Sequence, residues 1–320
     1  MGLRSMCRNA ETSPMTASPV TREDAPVFGI ALMLGFITIA PFIEVFAKLA
    51  SVEIPVGQIA TARFAVQAAL MVPLVLVMRC FEWPSRRDAW LYLLRGGLIL
   101  LSTALIVGAV KYMPIADAVA IVFVEPLLLT VAGAIIFGEQ VGWRRMTASV
   151  VGFVGCLMVI QPSFENYGWI ALLPLGTAVF FGIYLLLSRS MARRIHPLAL
   201  QANTGVAALL IATPLLLVFD GTGNGVFDPV MPRGIFWLWL FLGGLAATVS
   251  HIFLSYCVRI TPTSVIAPMQ YLEIVTAAIF GYFIFGDLLN GLALAGAVVV
   301  VSAGLFVFWR ERQVSRQARK

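Results

Sequence analysis

The sequence predicts an all-α integral membrane protein with ten transmembrane helices, arranged as two inverted five-helix repeats. The 320-residue chain is 60% hydrophobic and only 12% charged, with a mean hydropathy of +0.93. Apolar residues make up roughly half of an ordinary soluble domain. Apolar runs divide almost the whole chain, and a segment of the first half returns in the second half. The bilayer is therefore the expected solvent of this protein.

Ten runs approach the roughly 20 apolar residues that a helix needs to cross the hydrocarbon core. Before them lies a polar segment, 1–26, which has no apolar core of a signal peptide, so we expect a cytoplasmic tail and a retained first span. A basic tail, 310–320, follows the last run. The connections are short, which favours one bundle with repeats at 27–161 and 167–309. The predicted spans are 27–50, 57–78, 90–110, 114–137, 145–161, 167–188, 198–219, 235–257, 262–285 and 290–309.

The basic residues predict the orientation of the chain. A net charge of +6 would suggest a nucleic-acid partner in a soluble protein. Here most Lys and Arg residues fall in alternate connections and in the two tails, as expected of cytoplasmic segments. Only Lys48, Lys111 and Arg233 fall at the opposite ends of the spans. We therefore expect a multi-pass protein of the cell (inner) membrane with both termini in the cytoplasm, and no nucleic-acid partner.

Several kinds of chemistry have no signal in this sequence. The four cysteines are far apart, and no CxxC or Cys/His cluster suggests a disulfide framework or a metal site. No P-loop motif GxxxxGK[ST] is present, which argues against ATP hydrolysis by this chain. The two histidines, His196 and His251, have no acidic neighbour in sequence that would suggest a catalytic pair. We predict no cofactor, no metal and no catalytic residue.

The internal repeat relates residues 112–139 to residues 260–287 without a gap. The two copies lie in the fourth and ninth predicted spans, which are separated by five crossings. Because five is odd, the copies run in opposite directions, and the two halves are expected to be related by a pseudo-two-fold axis in the membrane plane. In this register Pro114, Glu125, Gly133, Gly138 and Glu139 fall on Pro262, Glu273, Gly281, Gly286 and Asp287.

These residues resemble the EamA-type family of the drug/metabolite transporter superfamily. The matching motifs are Glu125-Pro126, Phe137-Gly138-Glu139, Gly152-x-x-Gly155 and Phe285-Gly286-Asp287, together with Arg63 in the second span. The resemblance covers nearly all of the chain beyond residue 26. It implies a ten-helix carrier of two five-helix halves that moves small organic compounds in either direction. The second copy departs from the first at Ile274 and Asp287, so the halves are not interchangeable.

Glu125 and Glu273 are the leading candidates for binding substrate or a proton. Each lies near the middle of a predicted span, where a carboxylate is costly unless it is paired or hydrated and is therefore a functional candidate. The inverted repeat would place both near the midplane, where carriers of this design bind cargo. The alternative is a protonated glutamate that bonds to a neighbouring helix. Further candidates for polar lining in the ninth span are Ser264, Gln270 and Tyr271.

A second group of charges is predicted near the outer end. Glu44 and Lys48 lie one turn apart on the first span, and Arg63 lies about two turns into the second. One interpretation is a Glu44–Arg63 ion pair with Lys48 snorkelling outward. The other is an outer gate or a clamp for a substrate carboxylate, which Arg binds well.

Other polar residues have simpler expected roles. Asp117 falls in the first turn of a helix, where the helix dipole favours a carboxylate, and Arg95 is expected to snorkel to the inner surface. His251 is interpreted either as a proton relay or as a bond to a neighbouring helix. Pro41 cannot donate to Ile37, so that carbonyl needs another partner. Glycines such as Gly96, Gly97, Gly155 and Gly296 are expected to permit close contact between helices.

The sequence therefore predicts a secondary transporter for a small organic metabolite or drug-like compound, working by alternating access. Its expected partners are the cargo, membrane lipids and H⁺ as a candidate coupling ion, and the chain is predicted to act as a monomer or homodimer. A facilitator without a coupling ion is a further interpretation, and it would equilibrate its cargo across the membrane without concentrating it. The alternative from another class is a membrane-embedded enzyme that acts on a lipid or acyl substrate, with catalytic groups brought together by the fold.

Overall fold

A computed structural model describes residues 25–80, 84–125, 128, 143–191, 195–260, 272–287 and 291–317. All regular secondary structure in these residues is helical. The first half contains α1 (Ala25–Ile39), α2 (Pro41–Ala50), α3 (Val56–Val77), α4 (Arg86–Val110), α5 (Ile115–Val122) and α6 (Trp143–Tyr167). A 3₁₀ segment, Gly168–Leu172, leads into the second half. That half contains α7 (Leu173–Met191), α8 (Pro197–Phe219), α9 (Phe236–Ile260), α10 (Leu272–Phe280), a π-helical turn Gly281–Phe285 and α11 (Gly291–Gln317).

Local sequence signals explain several helix starts. Pro41 and Pro197 occupy the first turns of α2 and α8, where a missing N–H costs no helical hydrogen bond. Ser85 caps α4, because its hydroxyl oxygen accepts a hydrogen bond from the Asp88 N–H at 3.1 Å. Gly57, in the first turn of α3, donates its N–H to the carbonyl of Val226 at 2.8 Å. The loop between α8 and α9 thus satisfies one of the donors that every helix start leaves unpaired.

The first predicted span is broken at Ala40, directly before Pro41. The proline leaves the Ile37 carbonyl without its helical donor. Thr276 of α10 supplies the replacement, because its hydroxyl donates to that carbonyl at 2.9 Å. The freed carbonyl is therefore satisfied by a residue of the other half of the chain, as membrane helices with internal prolines require.

Six helical stretches of the described chain are long and apolar enough to cross a membrane. They are Phe28–Ala50, Val56–Val77, Arg86–Val110, Val150–Ser188, Pro197–Phe219 and Phe236–Cys257, and shorter apolar helices cover Leu272–Phe285 and Gly291–Ala303. The fourth stretch is 39 residues long and contains parts of two predicted spans. The fourth, ninth and tenth predicted spans lie only partly within the described residues. A multi-pass helical membrane protein is confirmed, and the number of ten crossings stays a prediction.

Helices of the two halves pack against each other throughout the bundle. The most extensive contacts join α6 to α11, α3 to α8, α4 to α7, and α1 to α9. Further contacts join α4 to α8, α3 to α9, and α5 to α10. Small residues allow the closest approaches. At Gly155 and Gly296, an added Cβ atom on either residue would lie within 3.0 Å of the other's carbonyl oxygen. The core is therefore shared between the halves rather than divided into two separate cores.

Candidate functional site

A cavity lies between α2, α3, α4 and α9, so helices from both halves of the chain line it. Most of its wall is aliphatic, and its charged side chains are Glu44 and Arg63. Small-molecule sites are likewise mostly apolar with a few convergent polar groups, but they are larger than this cavity, whose volume is about 20 Å³. The lining residues are Ile43, Glu44, Phe46, Ala47, Ala50, Ile59, Arg63, Thr103, Ile106, Val107, Val110, Trp239, Leu240, Gly243 and Gly244.

Glu44 and Arg63 face this cavity without forming the predicted ion pair. Arg63 Nη1 donates to the hydroxyl of Thr103 at 2.9 Å, and no Arg63 nitrogen lies within ion-pair distance of Glu44. Arg63 Nε and Glu44 Oε2 are buried and have no hydrogen-bond partner among the described residues. The interpretation as a Glu44–Arg63 pair was therefore wrong, because Thr103 of α4 takes the guanidinium. A buried donor and a buried acceptor remain available to a bound molecule.

Aromatic rings form a continuous row beside Glu44. Phe280 of α10 contacts Phe42 with ring centroids 4.4 Å apart, and Phe42 contacts Phe46 at 5.8 Å. Phe46 stacks on Trp239 of α9, with centroids 5.7 Å apart and planes inclined by 18°. These separations are favourable for aromatic pairs. The row packs α2 between two helices of the second half, and two of its rings, Phe46 and Trp239, line the cavity.

Lys48 does not snorkel outward, which corrects the second part of the sequence interpretation. Its ammonium group forms an ion pair with Asp287 Oδ2 at 2.7 Å and donates to the Met113 carbonyl at 3.2 Å. It also lies 4.7 Å from the centroid of the Phe285 ring. The side chains of Lys48 and Asp287 are only 17% and 22% exposed. Lys48 therefore joins the first half of the chain to the end of the ninth predicted span.

Asp117 lies beside this ion pair, in the first turn of α5, as predicted. It is 6% exposed, and its Oδ2 accepts a hydrogen bond from the Ser163 hydroxyl at 3.4 Å. Its Oδ1 is buried without a hydrogen-bond partner among the described residues. Asp117 interacts electrostatically with both Asp287 and Lys48. Lys48 therefore interacts with two carboxylates, forming a direct ion pair with Asp287 and interacting electrostatically with Asp117.

Glu125 lies just after α5 and Glu273 lies in α10, and these two helices contact each other. Glu125 follows the end of α5 after a two-residue turn and is buried, with Oε1 unpaired among the described residues. Glu273 is half-buried in the first turn of α10 and interacts electrostatically with Glu44. Glu273 is therefore linked to the cavity through Glu44, one of the residues that line it. Three further candidates, Ser264, Gln270 and Tyr271, lie outside the described residues.

Arg95 is 1% exposed, so the expectation that it snorkels to the surface was wrong. Its guanidinium donates to Ser188 Oγ and Tyr184 Oη, both at 2.8 Å, and to the Leu200 carbonyl at 2.9 Å. It also donates to the Thr204 hydroxyl. Partners on α7 and α8 hold this cation inside the bundle because together they satisfy the planar group from several sides.

Replacing Arg95 with lysine should lower the free energy of unfolding by about 2–4 kcal/mol. Hydrogen bonds to a charged group contribute about 1.5–3 kcal/mol each, and a single ammonium group cannot reach the acceptors on both helices. The thermal transition of the purified chain in detergent measures the effect. Arg86→Lys, at an exposed position that begins the same helix, is the matched control. Equal transition temperatures for the two variants would contradict the structural role of Arg95.

His251 lies in α9, where Nδ1 is 2.7 Å from the Ala247 carbonyl, one turn back along the same helix. This contact is within its own helix and is not the predicted bond to a neighbouring helix, and the interpretation as a proton relay stays a prediction. It interacts electrostatically with Arg63 and Arg95. In the part of the chain that the structure describes, no three His, Cys, Asp or Glu residues are grouped as metal ligands would be.

Sequence reasoning missed several residues of this region. Thr103 and Trp239 have no signal beyond their residue type, because nothing in one sequence shows which face of a helix lines a cavity. Asp287 could be singled out from the sequence because it ends the second copy of the repeat, but no local pattern indicates that it pairs with Lys48. The contact joins residues from opposite ends of the sequence.

Comparisons with known proteins agree with this architecture. The model of the EamA-like transporter family matches twice, at residues 27–161 and 168–309. A riboflavin transporter of Vibrio cholerae is 24% identical over 277 residues, covering 85% of this chain and 90% of the relative. An S-adenosylmethionine uptake transporter of Rickettsia prowazekii is 22% identical, over 89% of this chain and 94% of its own. A pseudopaline exporter of Pseudomonas aeruginosa is 25% identical, over 80% and 87% respectively.

A solved crystal structure shows the same fold. It superposes with a TM-score of 0.62 and covers 92% of this chain and 99% of its own, at 16% sequence identity. The duplicated family match covers most of the sequence, and the resemblance seen in the repeat motifs is confirmed. This chain belongs to the EamA-like transporter family.

Proposed function

We propose that this protein is a secondary transporter that moves a small organic metabolite or drug-like compound by alternating access around the Glu44–Arg63 cavity. One observation carries the proposal. A buried carboxylate oxygen and a buried guanidinium N–H, both unpaired among the described residues, face one cavity lined by both halves. A polar cargo would satisfy both groups. The relatives named above move three different compounds, so their shared property is the transport of a small metabolite.

The inverted arrangement of the halves is part of this proposal. The contacts come in related pairs, since α4 with α7 corresponds to α9 with α1 when the halves are exchanged. Individual contacts support the same symmetry. A Cβ atom added to Gly35 would lie 2.7 Å from Phe253, and one added to Gly176 would lie 3.0 Å from Leu105. Leu105 and Phe253 correspond in the register of the repeat. We place ten spans, with repeats at 27–161 and 167–309, on this basis.

The distribution of basic residues supports the cell (inner) membrane with both termini in the cytoplasm. In this orientation Lys48, Asp117 and Asp287 lie at the outer end of the bundle, and Arg95 lies toward the inner end. Both halves are present in one chain, so a monomer can complete the transport path, and a homodimer is equally compatible with it.

Proton coupling is assigned in this proposal to Glu125, because its buried oxygen has no partner among the described residues. Glu125→Gln should abolish the response of uptake to an imposed pH gradient, since an amide cannot exchange a proton. Uptake into proteoliposomes, with and without the gradient, measures the effect. Glu165→Gln changes an exposed acid of α6 and should leave the response intact. A normal response in the Glu125 variant would shift the coupling role to Glu273 or remove it.

The cargo can be found with the purified full-length chain. A ligand of the folded state raises stability by RT ln(1 + [L]/Kd), about 2.7 kcal/mol at a hundredfold excess over Kd. We expect a thermal-stability screen against metabolites to give a ligand whose effect is lost in Glu44→Gln and Arg63→Gln. The same compound should then exchange across proteoliposomes. A ligand that the protein converts into a new product, without exchange, would favour the enzyme alternative.

A further inference from the structure

At the end of the bundle that carries Lys48, two carboxylates interact with the same partly buried lysine. Lys48 is paired with Asp287, while Asp117 Oδ1 is buried and unpartnered among the described residues. Asp117 is only 6% exposed, and it interacts electrostatically with both members of the pair. Tyr167, the last residue of α6, also interacts electrostatically with both carboxylates.

The two carboxylates belong to different halves of the chain. Lys48, Met113 and Asp117 lie in the first half, whereas Asp287 follows the π-helical turn of the second half. The Lys48–Asp287 pair therefore crosses the boundary between the halves, and a Lys48–Asp117 pair would not. In a state that separates Asp287 from Lys48, Asp117 is the other carboxylate that interacts with this lysine.

We propose that Lys48 alternates between Asp287 and Asp117, so that pairing with Asp287 holds the outer end closed and pairing with Asp117 stabilises it open. This inference rests on the proposed function, because it assigns the residues that set the balance between the two access states. The structure shows the first arrangement, with the outer end joined by the cross-half ion pair.

The unpaired oxygen of Asp117 supports this exchange over a local role. A helix-dipole role requires only a negative charge near the start of α5. It does not explain a buried carboxylate oxygen that lacks a partner beside a lysine. In the open state, a pair between Lys48 and Asp117 leaves neither charge buried without a partner, which avoids the free-energy cost of an unpaired buried charge. In the observed arrangement Lys48 also donates to the Met113 carbonyl, which lies in the first half.

The test follows access to the cavity and needs no cargo. Ala47 lines the cavity one residue before Lys48, and Ala47→Cys provides a small reporter there. Full-length protein in intact cells and in inverted vesicles is treated with a membrane-impermeant maleimide. Labelling of the chain without the reporter is subtracted as background. In the protein with native Lys48 and Asp287, we expect the Ala47→Cys reporter to be labelled slowly from the outside of the cell.

Asp287→Asn should increase the outside labelling rate about tenfold, because the ion pair is lost and Asp117 remains as a carboxylate that interacts with Lys48. Adding Asp117→Asn to that variant should return labelling to the native rate or below, because the open state loses its acceptor. Glu53→Gln, which changes an exposed acid after α2, is the matched control and should have no effect.

Unchanged labelling in Asp287→Asn would overturn the proposal, and so would a double variant that stays as reactive as Asp287→Asn. Exchange of the charges, Lys48→Asp with Asp287→Lys, guards against misfolding of the single variants. If the ion pair closes the outer end, this exchange variant should again be labelled slowly from the outside, and fast labelling would contradict the proposal. A chain with these labelling changes but no transport refutes only the proposed function. Transport by a protein whose variants are all labelled at the same rate refutes only the proposed exchange of Lys48 between Asp287 and Asp117.

Discussion

Arg63→Gln should reduce the initial rate of cargo uptake by about 100-fold, which corresponds to about 2.7 kcal/mol. The guanidinium lies at the wall of the cavity with Nε unpaired, so a bound cargo is its expected partner. Loss of one member of a buried charged hydrogen bond costs about 2–5 kcal/mol, partly because the other member stays desolvated. Uptake of the compound found in the stability screen, measured in proteoliposomes, gives the rate.

The stability of the Arg63→Gln variant separates this effect from misfolding. Arg63 donates one hydrogen bond to a protein side chain, that of Thr103, so its loss should lower the free energy of unfolding by about 1.5–3 kcal/mol, the range for one hydrogen bond to a charged group. Arg233→Gln is the matched control, because this arginine is exposed in the loop before α9. Near-normal uptake in the Arg63 variant would show that the cargo binds elsewhere in the bundle.

The helical membrane fold could be predicted because it depends on local quantities. Hydropathy and run length identify apolar helices one at a time, since each satisfies its own backbone in the bilayer. The register of the repeat stays a prediction, although α5 and α10, which it pairs, do contact each other. Pro41 likewise predicted a free carbonyl at Ile37, although its partner Thr276 could not be named from the sequence.

The partners of the buried charges could not be predicted, because helix packing decides them. Lys48 and Arg95 have long side chains near predicted span ends, and local depth alone favours snorkelling for both. Each instead finds acceptors from distant parts of the chain: Asp287 for Lys48, and Tyr184 and Leu200 for Arg95. One residue of rotation about the helix axis would change those partners, and a single sequence does not fix that rotation.

Adjacent glycines of α4 should respond very differently to the same substitution. Gly96→Ala is expected to lower the free energy of unfolding by about 2–3 kcal/mol, within the range for overpacking. A Cβ atom at Gly96 would lie 2.7 Å from the Ala208 backbone nitrogen and 2.9 Å from the Ala207 carbonyl carbon. Both neighbours belong to the backbone of α8, so neither can move aside without shifting that helix.

Gly97→Ala is the matched control, since it lies on the same helix and gains the same helix propensity, about 1 kcal/mol in favour of alanine. Its added Cβ atom would meet only Ile211 Cδ1, at an ordinary contact distance of 3.6 Å. We therefore expect Gly97→Ala to leave stability unchanged or raise it slightly. Thermal melting of both purified variants measures the difference, and similar transition temperatures would show that α4 and α8 do not approach as closely as the structure indicates. The contrast tests the α4–α8 contact directly, because composition and helix propensity are identical in the two variants.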